Sequence, residues 1–450
     1  MLWSAVLVAA DSFFSAFRLV HAVFGFVDVM SFLRCGGRIL LYILVIAALV
    51  VLGYGVSRVI SFSFFVSYFT LAYFLLISLI AYTYRPEKAD YEPFCDVIIP
   101  VFNEGKYVYE TVKSVLACDY DPAKLRIIVV DDGSTDDTAA WIRRAAAENA
   151  RVKTIFMGKN SGKKHALCAA LKVSSSEVVV TIDGDSIVEK DALSRIVKPF
   201  ADDRVGAVAG NVRVSNIRDG VIPQMMDIIF VFCYEFLRRS QSKCGTVLCT
   251  PGALSAYRRE AVLPVMEPWL NQRFLGEYTS IGEDRALTCL LLRREWRVVY
   301  QSSAVAYTKI PAGYCDVCKM LLRWVRGDIR ENILMFPYVF RRFSLVNLRV
   351  LGLQLHYIAF NLGIITPICF IPVLAIYLCF HFSESMFICF YLVLLTLMWA
   401  IVPAMIYAKR YSLFKSLYAF VYSIFSVFCL SWIPLYAMLT LRNNKWLTRH

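Results

Sequence analysis

Two aspartates at the end of a short apolar run are the residues with the clearest chemical use. The stretch 177–186 reads EVVVTIDGDS, and its β-branched residues predict a buried parallel strand. Side chains alternate along an extended chain, so Asp183 and Asp185 face the same way, and Gly184 allows a turn between them. Two such carboxylates suit a hard divalent cation. The simpler alternative is a strand that ends in a turn.

Three further motifs follow the same plan of strand, polar turn and helix. Residues 96–104 read DVIIPVFNE, so that Asn103 and Glu104 open a helix near its electropositive end. Residues 129–138 read VVDDGSTDDT, in which Ser134 and Asp136 are expected to cap the next helix. Residues 159–167 read KNSGKKHAL, a glycine turn that offers backbone N–H groups and lysines to an anion, without Walker A spacing.

Two more motifs lie further along the chain. Residues 274–288 read FLGEYTSIGEDRALT, and Glu283, Asp284 and Arg285 form a charged helix start. Residues 319–331 read KMLLRWVRGDIRE and predict an amphipathic helix. A carboxylate in the first of these motifs is a candidate general base, whereas acidic capping of a helix is the simpler explanation.

The elements that must position these motifs alternate between strands and helices. Apolar β-branched runs predict strands at 95–101, 126–131, 152–156 and 177–183, and helical patterns lie between them at 106–118, 136–149 and 163–173. Such alternation predicts βαβ units and a parallel sheet covered on both faces. In an open α/β sheet, ligands bind at the carboxyl ends of the strands, where these motifs lie.

The two ends of the chain are apolar. Of the 450 residues 58% are hydrophobic, and the mean hydropathy is +0.56. Candidate membrane crossings lie at 39–56, 62–84, 359–381, 386–408 and 414–440, the last interrupted by Ser431 and Pro434. Lysine and arginine flank 409–415 and the tail, which places these and the central domain in the cytoplasm.

Charge and cysteine patterns do not indicate a nucleic-acid-binding protein or a disulfide-stabilised protein. The formal charge of +13 is not accompanied by any nucleic-acid-binding signature, and in a membrane protein it suits cytoplasmic loops and anionic lipid. The fourteen cysteines are scattered and do not form a disulfide framework. We therefore expect no nucleic-acid partner.

Four motifs in order resemble those of one enzyme family. Pro100-x-x-Asn103-Glu104, then VDDGS, then the glycine–lysine turn and then D-x-D are similar to the family 2 inverting glycosyltransferases of GT-A fold. The resemblance covers about residues 95–335. It implies a Rossmann-like α/β catalytic domain and a nucleotide-sugar donor held through Mg²⁺ or Mn²⁺.

The resemblance also implies roles for individual residues. Asp185 is the main metal ligand with Asp183 assisting, and Asp132 is placed to accept hydrogen bonds from a uracil or ribose. Gly282–Arg285 resembles the G-[DE]-D-R signature, which makes Asp284 the base, with Glu283 and Arg285 as catalytic neighbours. The donor site then comprises Pro100, Asn103, Glu104, Asp132, Lys163, Asp183, Arg323 and Trp324, and the acceptor site comprises Trp324, Cys249 and Gly252.

One departure from the family pattern lies beside the last motif. Processive members carry Q-x-x-R-W, in which Arg323 and Trp324 match, but Met320 stands where the glutamine is expected. This departure affects the acceptor contacts at that position and processivity, although not the chemistry of the donor.

Further details resemble the hyaluronan synthases, among them Asn271–Gly276, Cys249–Arg258 and Trp446–Arg449. They imply a multi-pass plasma-membrane enzyme with a cytoplasmic catalytic domain, which uses UDP-GlcNAc and UDP-GlcA and passes the polysaccharide through the bilayer. The expected divisions are an interfacial segment 1–34, two crossings in 35–85, the GT-A domain 86–345 and a helix cluster 346–450. The alternatives are a chitin-type synthase that uses UDP-GlcNAc alone and an inactive membrane scaffold or polysaccharide-binding protein.

Overall fold

The computed structural model describes residues 72–341, 347–380 and 382–444. The expected segment 1–34, the crossing at 39–56, the start of the crossing at 62–84 and the 446–449 motif lie outside these ranges. The chain divides into two compact units, of which the larger consists of Leu76–Ile368 and Met386–His450. The sheet, the site and the contacts given below all belong to this larger unit.

An eight-stranded sheet forms the centre, with strands in the order β3-β2-β1-β4-β7-β6-β10-β5. A separate two-stranded sheet pairs β8 with β9. The strands are β1 (Cys95–Val101), β2 (Leu125–Asp131), β3 (Val152–Phe156), β4 (Val178–Thr181), β5 (Ile187–Val188), β6 (Val205–Val214), β7 (Ser255–Arg258), β8 (Arg273–Phe274), β9 (Glu277–Tyr278) and β10 (Arg297–Thr308).

Helices cover both faces of this sheet and then continue into the apolar carboxyl-terminal part. Up to β10 they are α1 (Ala72–Tyr82), α2 (Tyr107–Leu116), α3 (Thr138–Glu148), α4 (Lys163–Val173), α5 (Ala192–Ile196), α6 (Val221–Phe230), α7 (Arg238–Cys244), α8 (Arg259–Leu270) and α9 (Glu283–Arg293). After β10 they are α10 (Tyr314–Arg341), α11 (Leu348–Phe380), α12 (Phe382–Arg410), α13 (Leu413–Ser416), α14 (Tyr418–Phe425) and α15 (Trp432–Leu439).

The four strands and three helices expected from the motifs are confirmed, with bounds that differ by at most two residues at each end. Strands β3, β2, β1 and β4 are parallel, as predicted. The expectation of a parallel sheet is wrong for β7, which runs antiparallel to both β4 and β6. Because β7 runs the opposite way, it begins at the edge where β4 ends, with Ser255 opposite Thr181.

Alternation along the strands divides the core into two layers. In β1, Val97 and Ile99 pack with α2 and α3 on one face, whereas Ile98 packs with α4, α8 and α9 on the other. All three side chains are fully buried. Strands covered on both faces read as continuous apolar runs, which is why this sheet could be located from its sequence.

The long helix α10 holds the segment that follows α15. The guanidinium of Arg326 donates two hydrogen bonds to Thr440 Oγ1, at 3.1 and 2.7 Å. Arg330 donates to the carbonyl oxygens of Leu441 and Asn443 at 2.9 and 2.8 Å, and the Ser280 hydroxyl donates to the carbonyl oxygen of Asn444. This segment is therefore fixed beside the loop that leads into α9.

The apolar helices at the carboxyl end contain the candidate membrane crossings. Among the described residues, Leu348–Cys369 and Leu413–Leu430 are long and apolar enough to cross one. Residues Ser426–Leu430 form a π-helix before α15 begins at Trp432, so the last expected crossing is interrupted near Ser431.

Candidate active site

The carboxyl edge of the sheet brings four motifs together. Asp132 follows β2, and Asp183 and Asp185 follow β4 at the same edge. Gly252 precedes β7, and because β7 is antiparallel to β4 it lies beside Asp183. Residues up to 120 positions apart in the chain therefore face one space, as expected of strand ends in an α/β sheet.

The turn after β1 is bonded to the turn after β2. Asn103 has a left-handed backbone with φ of 53°, and its N–H donates to Ser134 Oγ at 3.0 Å. Its side-chain oxygen accepts from the Thr135 N–H at 2.9 Å, and Thr138 Oγ1 accepts from the Glu104 N–H at 2.9 Å. Ser134 was expected to cap α3 but instead joins the two turns, because its hydroxyl faces the left-handed Asn103.

Pro100 lies inside the sheet. It occupies the sixth position of β1 opposite Val130 of β2, and it is buried. Asp136 behaves as expected, since its carboxylate accepts a hydrogen bond from the Thr138 N–H at the start of α3. The donor roles of Pro100, Asn103 and Glu104 stay predictions.

Asp132 holds the glycine–lysine turn in place. Its two carboxylate oxygens accept from the N–H groups of Ser161 and Gly162, both at 2.8 Å. Burial raises the pKa of Asp132, although the two amide bonds oppose that shift. Gly133 has φ of 77°, and a Cβ there would lie 2.5 Å from the backbone of Lys159, so this turn requires glycine. Contact between Asp132 and a nucleotide stays a prediction.

Lys163 joins the D-x-D motif to the start of α9. Its ammonium lies 2.5 Å from Asp183 Oδ1 and 3.0 Å from Glu283 Oε1. Only 10% of its side chain is exposed. Burial by itself would lower the pKa of Lys163, but the two carboxylates raise it well above its usual range. The lysine is therefore a fixed positive charge between the predicted donor and catalytic residues.

Glu283 and Asp284 are neighbours with different electrostatic surroundings. Burial alone would raise the pKa of Glu283, but Lys163 and Arg323 lower it below its ordinary value. For Asp284, burial and the negative charge of Glu283 raise the pKa to about 6. Two carboxyl groups whose pKa values are driven apart are suited to different roles, and the one titrating near neutrality is the better proton acceptor.

Arg285 contacts α10. It was expected to be a catalytic neighbour of the base, but its guanidinium lies 3.3 Å from Asp328 and donates to Asn332 Oδ1 at 2.6 Å. Only the backbone N–H of Arg285 donates to Asp284 Oδ1, at 2.7 Å. On a helix, adjacent residues point about 100° apart, so Arg285 faces away from its neighbour.

Helix α10 brings Arg323 and Trp324 to the same region. Arg323 acts electrostatically on Glu283, and the Trp324 ring packs against Phe230 with centroids 6.2 Å apart. Met320, one turn earlier, is buried in an apolar cluster with Phe230. A glutamine at position 320 would bury its amide among apolar side chains, which explains why methionine suits this chain.

Gly252 and Cys249 lie on the loop that enters β7. A Cβ on Gly252 would lie 2.5 Å from Lys163 Nζ and 2.8 Å from Asp183 Oδ2. Burial and the Asp284 carboxylate raise the pKa of the Cys249 thiol well above its ordinary value. The loop thus approaches both the lysine and the candidate base.

We expect Gly252→Ala to weaken donor binding, because its methyl group would displace Lys163 from Asp183. Overpacking of a few atoms costs about 1–3 kcal/mol, which corresponds to roughly a 5- to 150-fold loss in kcat/KM for the donor. Steady-state kinetics measures this. Gly313→Ala is the matched control, because a Cβ there meets nothing closer than 3.9 Å. Equal activity of the two variants would contradict the contact.

Several residues that support the site were missed from the sequence. Lys164, expected with Lys163 to face an anion, is instead buried and donates to Thr279 Oγ1 at 3.0 Å and the Trp269 carbonyl oxygen at 3.3 Å, two partners that the sequence did not indicate. Burial lowers its pKa to about 8. The Trp269 indole in turn donates to the carbonyl oxygen of Glu283. On α10, Gly327 and Asn332 were also missed: Gly327 lies one turn after Arg323, but Asn332, nine residues after Arg323, lies on the opposite side of the helix, so helical spacing does not group them.

Comparisons with known proteins identify the family of this chain. Residues 96–263 match the model of the family described as Glycosyl transferase family 2. An N-acetylglucosaminyltransferase of Rhizobium leguminosarum is 30% identical over 359 residues, covering 79% of this chain and 82% of that protein. One from Azorhizobium caulinodans is also 30% identical and is covered over 87% of its length.

A solved structure shares the fold. The mannosyltransferase PcManGT of Pyrobaculum calidifontis, solved with GDP-Man and Mn²⁺, matches with a TM-score of 0.53 and 23% identity, over 84% of this chain and 96% of that one. The central sheet and its helices therefore form a GT-A-like glycosyltransferase fold. Taken with the family match and the extent of the relatives, this establishes that the chain belongs to glycosyl transferase family 2 and is a glycosyltransferase.

Proposed function

We propose that the protein transfers N-acetylglucosamine from UDP-GlcNAc and builds a β-linked GlcNAc oligosaccharide or polymer. The observation that carries this proposal is the similarity, over about four-fifths of the chain, to relatives named N-acetylglucosaminyltransferase. The contact of Lys163 with both Asp183 and Glu283, beside Asp284, supports a glycosyl-transfer site here. Chitin-type synthesis, first considered as the alternative, is therefore preferred over hyaluronan synthesis.

The two acidic residues at the start of α9 have different roles in the transfer reaction. Asp284 removes the proton from the acceptor hydroxyl, and the resulting oxygen attacks the anomeric carbon of the donor while UDP departs. A single displacement inverts the α-linked donor into a β-linked product, and it needs no carboxylate nucleophile. Glu283 is held by Lys163, which keeps it ionised and leaves Asp284 as the base.

A divalent cation fits the D-x-D residues. Asp183 and Asp185 follow β4 on the same turn, and the Asp183 carboxylate lies against Gly252, where a Cβ would come within 2.8 Å of Asp183 Oδ2. No group of three or more His, Cys, Asp or Glu residues gathers into a complete ligand set within the described ranges. Mg²⁺ is commonly bound by one or two carboxylates together with substrate phosphates, which agrees with Asp185 and Asp183 as the protein ligands. When bound, Mg²⁺ or Mn²⁺ would neutralise the charge of the departing diphosphate.

The remaining site residues contribute binding. The Lys163 ammonium is close enough to Asp183 to contact a diphosphate held there, and Arg323 supplies a second positive charge on the same side of Glu283. The Trp324 ring packs against Phe230. It offers an aromatic surface for an acceptor sugar, together with Cys249 and Gly252.

The proposed function includes a location in the membrane. Two described helices have the length and composition of crossings. We infer a multi-pass protein of the plasma membrane, with the domain of residues 86–345 in the cytoplasm and helices from 35–85 and 346–450 in the bilayer. The product would then leave the site toward the apolar helices. Family membership as a glycosyltransferase sets aside the alternative of an inactive scaffold.

The substrate is tested by incubating membranes that contain the full chain with UDP-GlcNAc, with and without UDP-GlcA. We expect product from UDP-GlcNAc alone, degraded by chitinase, with no change when UDP-GlcA is added. The physical reason is that a single donor and a single acceptor sugar suffice for a GlcNAc homopolymer. Product that requires both donors and is degraded by hyaluronidase would restore the hyaluronan interpretation.

A further inference from the structure

Helix α10 contacts the start of α9 along one face. Gly282, which precedes Glu283, has φ of 76°, and a Cβ on it would lie 2.9 Å from the Cα of Gly327. A Cβ on Gly327 would likewise lie 3.0 Å from the Cα of Gly282. The two backbones therefore touch immediately before the candidate base Asp284, and α10 is the surface on which that part of α9 rests.

A line of hydrogen bonds extends this contact from the base to α11. Asp284 Oδ1 accepts from the backbone N–H of Arg285 at 2.7 Å, and the Arg285 guanidinium donates to Asn332 Oδ1 at 2.6 Å. Asn332 Nδ2 then donates to Asn361 Oδ1 on α11 at 3.0 Å. Arginine has no acceptor, so the Asn332 amide must present its oxygen to Arg285 and its nitrogen to Asn361.

The middle of this line is buried and closely held. Arg285 is 4% exposed and Asn332 is 3% exposed. The Arg285 guanidinium lies 4.4 Å from the ring centroid of Phe360, and the Tyr357 hydroxyl donates to the Asn332 carbonyl oxygen at 2.6 Å. A buried guanidinium depends on its partners for stability, so loss of Asn332 would allow Arg285 to move.

We propose that Asn332 and Asn361 are positioning residues that fix Arg285 and, through it, the carboxylate of Asp284. The proposal rests on the assignment of Asp284 as the base. Helix α11 then helps to position the catalytic carboxylate. This helix contains one of the two stretches that are long and apolar enough to cross a membrane. Neither asparagine is required to touch either sugar.

The decisive variant is Asn332→Leu, which keeps the side-chain size and removes both hydrogen bonds. Loss of a hydrogen bond to a charged group predicts a fall in kcat of about 10- to 100-fold, with the KM for UDP-GlcNAc unchanged. Asn332→Asp keeps an oxygen for Arg285, and the Asn361 amide can rotate to donate to it. We therefore expect Asn332→Asp to recover activity to within about fivefold of the wild type.

The pH profile separates positioning from general destabilisation. Charged or titratable groups that act on Asp284 are Glu283 on its own helix, Lys163 on α4, Asp183 after β4 and Cys249 before β7. A looser bond from the Arg285 N–H would raise the pKa of Asp284, so the acidic limb of kcat should move upward by about half a pH unit or more in Asn332→Leu.

Two further variants complete the experiment. Asn361→Leu should reproduce the effects of Asn332→Leu in a weaker form, whereas Asn149→Leu, a change at a half-buried position directly after α3, should match the wild type. An unchanged kcat and pH profile in Asn332→Leu, or an equal loss in Asn149→Leu, would overturn the proposal. The variant-to-wild-type ratios are measured with whichever nucleotide sugar the wild type uses, so a wrong assignment of UDP-GlcNAc would leave this test intact.

Discussion

Asp284→Asn is expected to reduce glycosyl transfer by about 10²- to 10⁴-fold, the range that a positioned general base contributes. The amide has almost the same shape as the carboxylate, so the Arg285 N–H can still donate to the side-chain oxygen at position 284. It cannot accept a proton from the acceptor hydroxyl. Binding of UDP, measured by calorimetry, should change little, because the proposed donor residues lie on elements other than α9.

The pH dependence of the wild type gives an independent measurement. The base works only when it is deprotonated, and the pKa of Asp284 is raised to about 6 by burial and by Glu283. The rate of transfer should therefore fall as the pH drops through about 6 and level off above it. This acidic limb should be absent from the residual activity of Asp284→Asn. Near-normal rates in that variant would overturn the assignment of the base.

The second large effect is expected from Lys163→Met. This change leaves Asp183 and Glu283 without the ammonium that lies within 3.0 Å of both. Breaking a buried ion pair by removing one partner costs about 3–5 kcal/mol, so the melting temperature should fall. The unopposed charges would also raise the pKa of Asp284, so that the acidic limb should move to higher pH.

The matched control is Lys163→Arg, which keeps a positive charge at the same place. Its melting temperature should lie close to that of the wild type, although the wider guanidinium would reduce donor affinity next to Gly252. A Lys163→Met variant with wild-type stability and an unshifted pH profile would show that the lysine does not hold the two carboxylates together.

Local patterns in the sequence, namely apolar runs followed by polar turns, predicted most of the central sheet. Buried parallel strands are continuous apolar runs, and the polar turns after β1, β2 and β4 face one edge, so the position of Asp132 and Asp183 followed from chain order. The antiparallel direction of β7 did not follow, because a four-residue strand reads the same in either direction. That direction places Gly252 beside Asp183.

Contacts between distant helices were harder to predict. Arg285 was expected to act as a neighbour of the base, whereas its guanidinium pairs with Asp328 and Asn332, more than forty positions later. Such pairing depends on how α9 and α10 cross, and that crossing is set by the approach of Gly282 to Gly327. A glycine in the middle of a helix carries little sequence signal beyond lower helix propensity.

Helix α10 also limits how the chain can change in length. Arg323, Gly327 and Asn332 serve the site, while Arg326 and Arg330 hold residues 440–444. Each residue added to a helix rotates all later ones by about 100°. One inserted residue before Arg323 would therefore turn every one of these contacts away at once, so variation in length among related chains should be confined to the loops on either side of this helix.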